Sequence, residues 1–340
     1  MHTAKSFLRK RTALSAIRLR GQSVGEFVLL IALVSLVIVF AGPQVSQAIN
    51  NQFGSVTNTL KAGNRGGTTA GGGIPGGPSG SGGSAPDQEQ IKYLESMKPV
   101  TEKDPRNWTL ADQQLVAEDI AKRGTASVAF PKARSAMDAG VRWSIRLNNG
   151  SYMQYRIIGI FHDGRADVNS RAGLTFLATS PINMSQMNAR PTNSGGWGNS
   201  VLRQNMNSGT VWNLMPPELQ SRIKPVWKRT NNVDGGTHGA SVSMTGDKLF
   251  ALSYSEIVPN SRWAGSFPWT SNEGTQYEAF QGRVNPNDSS NPCINVGAGW
   301  WTRTAAPNYL DRFIVISSSG STSGCISAQM SCGILPAFCF

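Results

Sequence analysis

The hydrophobic positions of the chain begin with a long run near the N-terminus. Residues 28–41 are apolar except for Ser35, and together with residues 24–27 they make a stretch of about 18 residues. As an α-helix this stretch measures roughly 27 Å, which is close to the thickness of one hydrocarbon core. Six cations and no acid precede it in residues 1–20. The pattern predicts a membrane helix whose basic flank stays in the cytoplasm, so that everything after Ala41 is exported.

Past this run the apolar spacing changes and then disappears. Apolar residues recur at helical spacing over residues 45–56, which predicts an amphipathic helix beyond a kink at Pro43. Residues 61–86 are then almost entirely Gly, Ser, Pro and Thr, with Ile74 as the main apolar exception. Such a composition cannot bury enough surface to order itself, so it predicts a flexible linker.

The pattern of a packed core appears only after this linker, since all nine Trp and all four Cys lie beyond residue 86. Thr109 and Asp112 form a capping-box signature, and Gly124 follows two cations, which together predict a helix over residues 110–123. Alternating apolar positions predict strands over residues 141–147 and 153–161, joined by a turn at Asn149-Gly150.

The rest of the chain predicts further short elements with much loop between them. A third strand is expected over residues 174–178, and residues 195–224 are expected to be helical with loops. A short strand is expected over residues 248–253, and strands over residues 313–317 and 334–340 close the chain. Because strands and helices do not alternate as in βαβ units, the pattern favours an α+β fold.

The net charge of +12 by itself suggests a nucleic-acid partner, but its distribution along the chain does not. Removing the six leader cations leaves +6, which is spread over the remaining chain with no extended run of Lys or Arg. A nucleic-acid groove requires clustered cations, so no nucleic-acid partner is expected.

A glycine and a glutamate flank the start of the apolar run. Gly21 is followed, after four residues, by Glu26 and Phe27. This arrangement ahead of a long apolar helix resembles the processing site of type IV prepilins, with the spacing of the Flp and other type IVb-like classes. The resemblance implies cleavage between Gly21 and Gln22 by a prepilin peptidase on the cytoplasmic side. It also implies that Glu26 pairs with the freed α-amino group of a neighbouring pilin subunit. Phe27 departs from the Tyr that many Flp pilins have there.

The position of Glu26 leaves alternatives open. A carboxylate carried towards mid-bilayer costs about 2.5–3.5 kcal/mol, which a cation on a neighbouring helix offsets, but Glu26 could also reach the membrane surface. An ordinary signal peptide would be cleaved after the apolar run, near Ala41 or Ala48, and would leave Glu26 unexplained. The prepilin interpretation gives a leader at 1–21, an assembly helix at 22–60, a linker at 61–86 and a head at 87–340.

The head also resembles a known group of proteins. Short motifs spread over about residues 125–340 resemble a family of uncharacterised bacterial extracellular domains, which is related to the C-type-lectin-like fold of formylglycine-generating enzymes and several surface adhesins. These motifs lie at residues 173–176, 196–203, 245–256, 300–303 and 333–338. The resemblance implies a C-type-lectin-like α+β head, and it implies little chemistry because the family has no agreed activity.

The residue types needed for catalysis or metal binding are sparse. Beyond the leader the only histidines are His162 and His238, and neither belongs to a metal-binding spacing. His162 precedes a turn at Asp163-Gly164 and is expected on the surface. The cysteines lack a recognisable version of the redox pair of the formylglycine-generating relatives. We therefore expect no catalytic residues, no cofactor and no metal.

The four cysteines and a group of aromatics provide the remaining candidates. An exported domain with four Cys suggests two disulfides in one of three connectivities, with Cys325–Cys332 and Cys293–Cys339 as the expected pairs. The alternative is that one pair is buried thiols.

Arg262, Trp263 and Trp269 lie in a loop-like stretch with Phe267 and are candidate ligand-binding residues, because such side chains stack on sugars or anchor protein partners. The alternative is that these tryptophans belong to the core. Trp300 and Trp301 are expected in the core, with Arg303 holding a nearby loop.

Together these patterns predict a pilin-like surface subunit with a non-enzymatic adhesive head. It would reside in the cytoplasmic membrane before assembly and in an extracellular pilus or at the cell surface afterwards. Its expected partners are the prepilin peptidase, other pilin subunits, the membrane and a glycan or protein ligand. The alternatives are a single-pass membrane-anchored binding protein that never enters a filament and, third, a secreted hydrolase.

Overall fold

The computed structural model describes residues 88–340, which belong to one compact unit. The leader, the membrane and assembly helix and the whole of the linker predicted over residues 1–86 lie outside the described residues. Within residues 88–340, no helix is long and apolar enough to cross a membrane.

The described part of the chain mixes short helices with twelve strands, which confirms the α+β class. Its helices are α1 (Gln88–Thr101), α2 (Leu110–Arg123), α3 (Phe130–Asp138), α4 (Val201–Asn207), α5 (Thr210–Leu214) and α6 (Pro217–Gln220). Its strands are β1 (Trp143–Arg146), β2 (Tyr152–Ile160), β3 (Leu174–Ala178), β4 (Asn183–Ser185), β5 (Val226–Asn231), β6 (Val242–Asp247), β7 (Leu249–Phe250), β8 (Trp300–Ala305), β9 (Arg312–Ile316), β10 (Gly324–Ser327), β11 (Cys332–Ile334) and β12 (Ala337–Cys339).

Helix α2 confirms the capping-box prediction. The Thr109 hydroxyl accepts a hydrogen bond from the Asp112 backbone N–H at 3.2 Å, and the Asp112 carboxylate accepts one from the Thr109 N–H at 2.7 Å. The helix ends at Gly124, whose φ of 57° places it in the left-handed region that glycine tolerates. The two sequence signals therefore fix both ends of the helix.

The first sheet has the order β1-β2-β3-β12-β7, with antiparallel neighbours throughout. Its first three strands confirm the predicted hairpin and third strand. An aromatic cluster packs on this sheet, with Phe176 lying 5.5 Å from Tyr155 and 5.2 Å from Phe338 between ring centroids. A strand was expected over residues 248–253, but only Leu249–Phe250 adopts strand structure there, as β7.

The second sheet has the order β10-β9-β8-β11-β4, in which β8 and β11 are parallel and the other neighbours antiparallel. The single strand expected over residues 334–340 is divided between the two sheets at Leu335-Pro336, because proline lacks the N–H that a continuing ladder needs. Trp300 and Trp301 on β8 are buried, as expected.

Strands β5 and β6 form a separate two-stranded hairpin. The sequence patterns do not predict this hairpin, and they also do not predict helices α1 and α3 or strands β4, β8 and β10. The hairpin is joined to the rest of the fold by a single bridge between Arg165 and Val226, besides its side-chain contacts.

The expected disulfides are not formed, because all four cysteines are free. Cys325 lies on β10 and Cys332 on β11, and two strands separate these in the sheet. Neighbouring strands lie about 4.8 Å apart, so these residues are separated by roughly 14 Å, whereas a disulfide requires α-carbons within about 7 Å. The buried sulfur of Cys339 lies 3.3 Å from the Thr175 hydroxyl, and Cys293 is half-buried in a loop.

Candidate functional site

The β5–β6 hairpin alternates between buried and exposed side chains. Lys228 and Thr230 on β5 are buried, whereas Trp227 and Arg229 are exposed. Because successive side chains of a strand point to opposite faces, this hairpin has a polar inner face and an outer face that carries an aromatic ring and a cation.

The inner face centres on the buried ammonium of Lys228. Its Nζ donates hydrogen bonds to Asp163 Oδ1 at 2.5 Å, to Tyr277 Oη at 2.7 Å and to Glu256 Oε1 at 3.1 Å. The same nitrogen lies 3.8 Å from the centre of the Phe250 ring. A buried ammonium requires such partners, since an unpaired charge in the interior is costly.

Asp163 is held in its ionised form by the groups around it. Tyr277 Oη donates to Asp163 Oδ2 at 2.9 Å, and the Thr175 hydroxyl donates to the same oxygen at 2.6 Å. Burial by itself would raise the pKa of Asp163, but the charges of Lys228 and His162 outweigh this and lower its pKa to about 2.

A second buried ion pair adjoins the first. Arg303 on β8 donates from Nη1 to Glu256 Oε2 at 2.5 Å and from Nη2 to Glu256 Oε1 at 2.9 Å. It also donates to the carbonyl oxygens of Ala251 and Glu273, at 2.9 and 2.8 Å. The expectation that Arg303 holds a nearby loop is therefore confirmed, and Glu256 joins the two cations.

Glu273 is the carboxyl group of this region whose pKa is raised, whereas the pKa values of Asp163 and Glu256 are lowered. Burial raises the pKa of its carboxyl to about 7, against the smaller lowering effect of hydrogen bonds from Thr304 and the Asn231 backbone N–H. The Asn231 N–H lies 2.9 Å from Glu273 Oε1, so this carboxyl group contacts the end of β5.

The sequence motifs that carry the family resemblance meet around the hairpin. Trp197 Nε1 donates to Asp247 Oδ2 at 2.9 Å, and Arg203 Nε donates to Asp247 Oδ1 at 2.6 Å. The motif at residues 196–203 thus binds the last residue of β6, and the motif at 300–303 reaches Glu256 through Arg303. These motifs hold the hairpin in place.

His162 lies at the edge of the Lys228 cluster and its side chain is only 10% exposed. The expectation that it is a surface residue is therefore wrong. Its Nδ1 is 3.1 Å from Glu278 Oε1, and its ring stacks on Tyr277 at 4.2 Å between centroids. Burial lowers the pKa of His162, but the hydrogen bond with Glu278 and the charge of Asp163 outweigh this, and the net shift is upwards. The preceding Phe161 has a φ of 56°, a conformation that strains a residue with a Cβ.

The residues predicted to bind a ligand do not form one exposed surface. Trp269 is only 2% exposed, and its Nε1 donates to the Thr237 carbonyl at 3.0 Å. Trp263 is half-buried against Tyr254, with 5.0 Å between ring centroids. Arg262 is exposed and lies over the Trp263 ring at 4.5 Å. Trp269 is therefore a core residue, Trp263 is partly accessible, and Arg262 alone of the three is exposed.

The exposed candidates lie instead on the outer face of the hairpin. Trp227 is 44% exposed and Met244 is 61% exposed, and Met244 lies directly opposite Arg229 in the register. The sequence analysis does not single out these residues. The alternation of buried and exposed positions over residues 226–230 would have predicted them, but only if Lys228 were assigned to the buried face.

A groove elsewhere on the head is smaller than a ligand pocket. It encloses about 90 Å³ and is bordered by Arg142, Arg156, Thr179, Cys293 and Trp300, among others. Pockets for small molecules usually measure about 300–1,000 Å³. Within residues 88–340, no group of three or more His, Cys, Asp or Glu side chains is arranged to hold a metal ion.

Comparison with known proteins adds one finding. Residues 172–340, just under half of the chain, match the family model described as a domain of unknown function, DUF6273. No curated protein and no solved structure matches the chain. The matched span is similar to that family and includes Lys228, Glu256 and Arg303, whereas Asp163 lies before it.

Proposed function

We propose that the chain is a type IV pilin-like surface subunit, which assembles through its N-terminal helix and displays a non-enzymatic binding head of C-type-lectin-like architecture. The observation that carries the binding role is the outer face of the β5–β6 hairpin. Trp227, Arg229 and Met244 are exposed there, while buried ion pairs of Lys228 fix the opposite face. Aromatic and arginine side chains on a rigid support contribute most of the energy in many binding sites.

The assembly role is supported by the sequence around Gly21 and Glu26. In this proposal the prepilin peptidase cleaves before Gln22, and Glu26 then pairs with the new α-amino group of a neighbouring subunit. The subunit lies in the cytoplasmic membrane before assembly and in a surface pilus afterwards. The Gly-rich residues between 61 and 86 separate the assembly helix from the head.

Mass spectrometry of the mature N-terminus and recovery in sheared fibres test this proposal. We expect a chain that starts at Gln22 and a fibre fraction that contains it. Glu26→Ala should lower the fibre fraction without preventing membrane insertion, because removing a charge makes the segment more apolar. Gly21→Leu should retain the leader. A start near Gly42, or normal fibre content in Glu26→Ala, would contradict assembly and favour a membrane-anchored binding protein.

A secreted hydrolase is the third candidate, after the membrane-anchored binding protein, and one arrangement of side chains favours it. His162 Nε2 lies 3.3 Å from the Thr275 hydroxyl, while His162 Nδ1 lies 3.1 Å from Glu278 Oε1. A nucleophile, a base and an orienting carboxylate follow the same order in hydrolytic triads. Thr275 is exposed to water and its hydroxyl is secondary, which makes it a weak nucleophile.

Hydrolysis of a short acyl ester by the full-length chain separates this candidate from the binding role. Activity that is lost in both Thr275→Val and His162→Gln would establish the hydrolase. Equal rates for these variants and the unaltered chain would reject it.

A further inference from the structure

The indole of Trp227 lies beside Gly246 on the neighbouring strand, and 44% of its side chain is exposed to solvent. Gly246 lies directly opposite Trp227 on β6, and a Cβ placed on Gly246 would lie 3.6 Å from Cζ3 of the indole. The six-membered part of the ring therefore lies next to Gly246. With 44% of the side chain exposed, the indole offers a flat apolar platform to solvent. Such platforms bind the apolar C–H face of a sugar ring.

A free cation lies beside this platform. Arg229 is two residues along the same strand, about 6–7 Å away, and points to the same face. Among the described residues its guanidinium has no hydrogen-bond or ion-pair partner, whereas nearby Arg165 is bound to Asp167 at 2.6 Å. A guanidinium in this state is suited to pair with a carboxylate through two parallel hydrogen bonds.

The buried side of the strand keeps the platform and the cation in register. Lys228 lies between Trp227 and Arg229 in the chain and is fixed by Asp163, Glu256 and Tyr277. The backbone that carries the two outward side chains is therefore held before any ligand arrives, which reduces the ordering cost of binding.

The size and charge of this face favour one class of ligand. One ring, one thioether and one cation match a single acidic sugar residue, whereas a stable protein interface requires about 800 Å² on each partner. Nucleic acid would require several clustered cations. We propose that the outer face of the β5–β6 hairpin binds a carboxylated saccharide, with a sugar ring stacked on Trp227 and its carboxylate paired with Arg229. This proposal rests on the binding role proposed for the head.

Calorimetric titration of the full-length chain in detergent tests the assignment, with a trigalacturonate as the acidic probe and a galactose trisaccharide as the neutral probe. We expect binding of the acidic probe that weakens with added salt. Trp227→Ala should weaken this binding by about tenfold or more, the scale of a central aromatic contact. Arg229→Gln should remove both the preference for the acidic probe and the salt dependence, and Arg229→Lys should restore part of them.

The β1–β2 hairpin provides matched control variants. Tyr152 is an exposed aromatic residue that lies directly opposite the exposed Arg146. Tyr152→Ala and Arg146→Gln should leave the affinity unchanged. The absence of acidic-probe binding, equal affinity for the two probes, or an effect of the control variants as large as that of Trp227→Ala would overturn the assignment.

Fibre recovery separates a failure of this inference from a failure of the proposed function. If Trp227→Ala fibres form normally and the unaltered chain does not bind the acidic probe, the saccharide assignment fails and the pilin role stands. If Trp227→Ala fibres are lost, the face is a subunit contact and the saccharide assignment is overturned. Acidic-probe binding by a chain that never enters fibres would support the saccharide site and contradict the filament role.

Discussion

The two hairpins β1–β2 and β5–β6 place opposite chemistry on their inner faces. In β1–β2 the inward residues include Ile145 and Met153, and the exposed face carries Arg146. In β5–β6 the inward residues include Lys228 and Thr230 beside the apolar Val226, and the exposed face carries Trp227. The first hairpin has the apolar inner face that is ordinary for a half-buried strand pair, whereas the second has a buried ammonium and a hydroxyl on its inner face.

The difference shows what each kind of inner face depends on. The apolar face of β1–β2 stabilises the fold by removing apolar surface from water. This contribution tolerates small changes in any one neighbouring side chain. The charged face of β5–β6 is stable only as a set, because each ion is compensated by particular partners.

Removing the ammonium of Lys228 should have the largest effect. Lys228→Ala leaves Asp163 without its buried cation and Glu256 with only Arg303, so we expect a loss of about 3–5 kcal/mol in the free energy of unfolding. Urea unfolding followed by tryptophan fluorescence measures this, since all nine tryptophans lie in the head. Arg229→Ala, one residue along and on the outer face, is the matched control and should cost less than about 0.5 kcal/mol. A loss of under 1 kcal/mol for Lys228→Ala would show that the ion pairs are dispensable.

The charged region should also give the head a pH dependence through Glu273. Its carboxyl has a pKa of about 7 when folded, against an ordinary value of 4.5. The folded state therefore binds more protons than the unfolded chain between these pH values, so the free energy of unfolding falls as the pH rises through this window. The full change is on the order of 3 kcal/mol.

Glu273→Gln tests this source directly, because glutamine resembles the protonated carboxyl and does not titrate. Urea unfolding between pH 4.5 and 8 should show a slope in the unaltered chain and a smaller slope in the variant, in which His162 still titrates with a raised pKa. Glu218→Gln, at an exposed carboxylate, should keep the original slope. An unchanged slope in Glu273→Gln would assign the pH dependence to other groups.

The same contrast explains how much of the molecule could be predicted from the sequence. The capping box of Thr109 and the apolar alternation of β1–β2 depend on neighbouring residues, so local patterns revealed them. The alternation of β5 was equally regular, but it placed Lys228 inside and Trp227 outside. The carboxylates that permit this, Asp163 and Glu256, lie 65 and 28 residues away in the chain. No local pattern contains that information.

The candidate site was harder to predict than the fold for the same reason. Trp269 was a reasonable ligand-binding candidate by residue type, and the tertiary structure buries it. The motifs that resemble extracellular domains did mark residues that meet in space, since Arg203 and Trp197 converge on Asp247. These motifs marked the residues that hold the β5–β6 hairpin in place, and they did not mark the exposed residues of its outer face.

A conservative substitution on the apolar face of β1–β2 should lower the free energy of unfolding by a smaller amount, and this amount should not depend on pH. Ile145→Val removes one buried methylene, and such changes cost about 0.5–1.5 kcal/mol. We expect the same cost at pH 5 and pH 8, because the inward neighbours of Ile145 on this hairpin are apolar. Ser144→Ala, at the adjacent exposed position, is the control. A cost that changed with pH would indicate that a titratable group stabilises this face as well.

The smallest effect on the free energy of unfolding is expected for a substitution of Trp227. Each hairpin carries one tryptophan, so the two tryptophans can be compared directly. Trp227→Ala removes a side chain that is 44% exposed and has only a glycine directly opposite it, so we expect a cost of less than about 1 kcal/mol. Trp143→Ala in β1–β2 removes a ring that is buried, stacks on Trp108 and donates to the Pro105 carbonyl at 2.9 Å, so it should cost about 3–5 kcal/mol. Circular dichroism should follow unfolding, because each variant loses a fluorophore. A cost for Trp227→Ala that approached that of Trp143→Ala would show that its ring stabilises the hairpin, and the exposed face would then lose its standing as a binding surface.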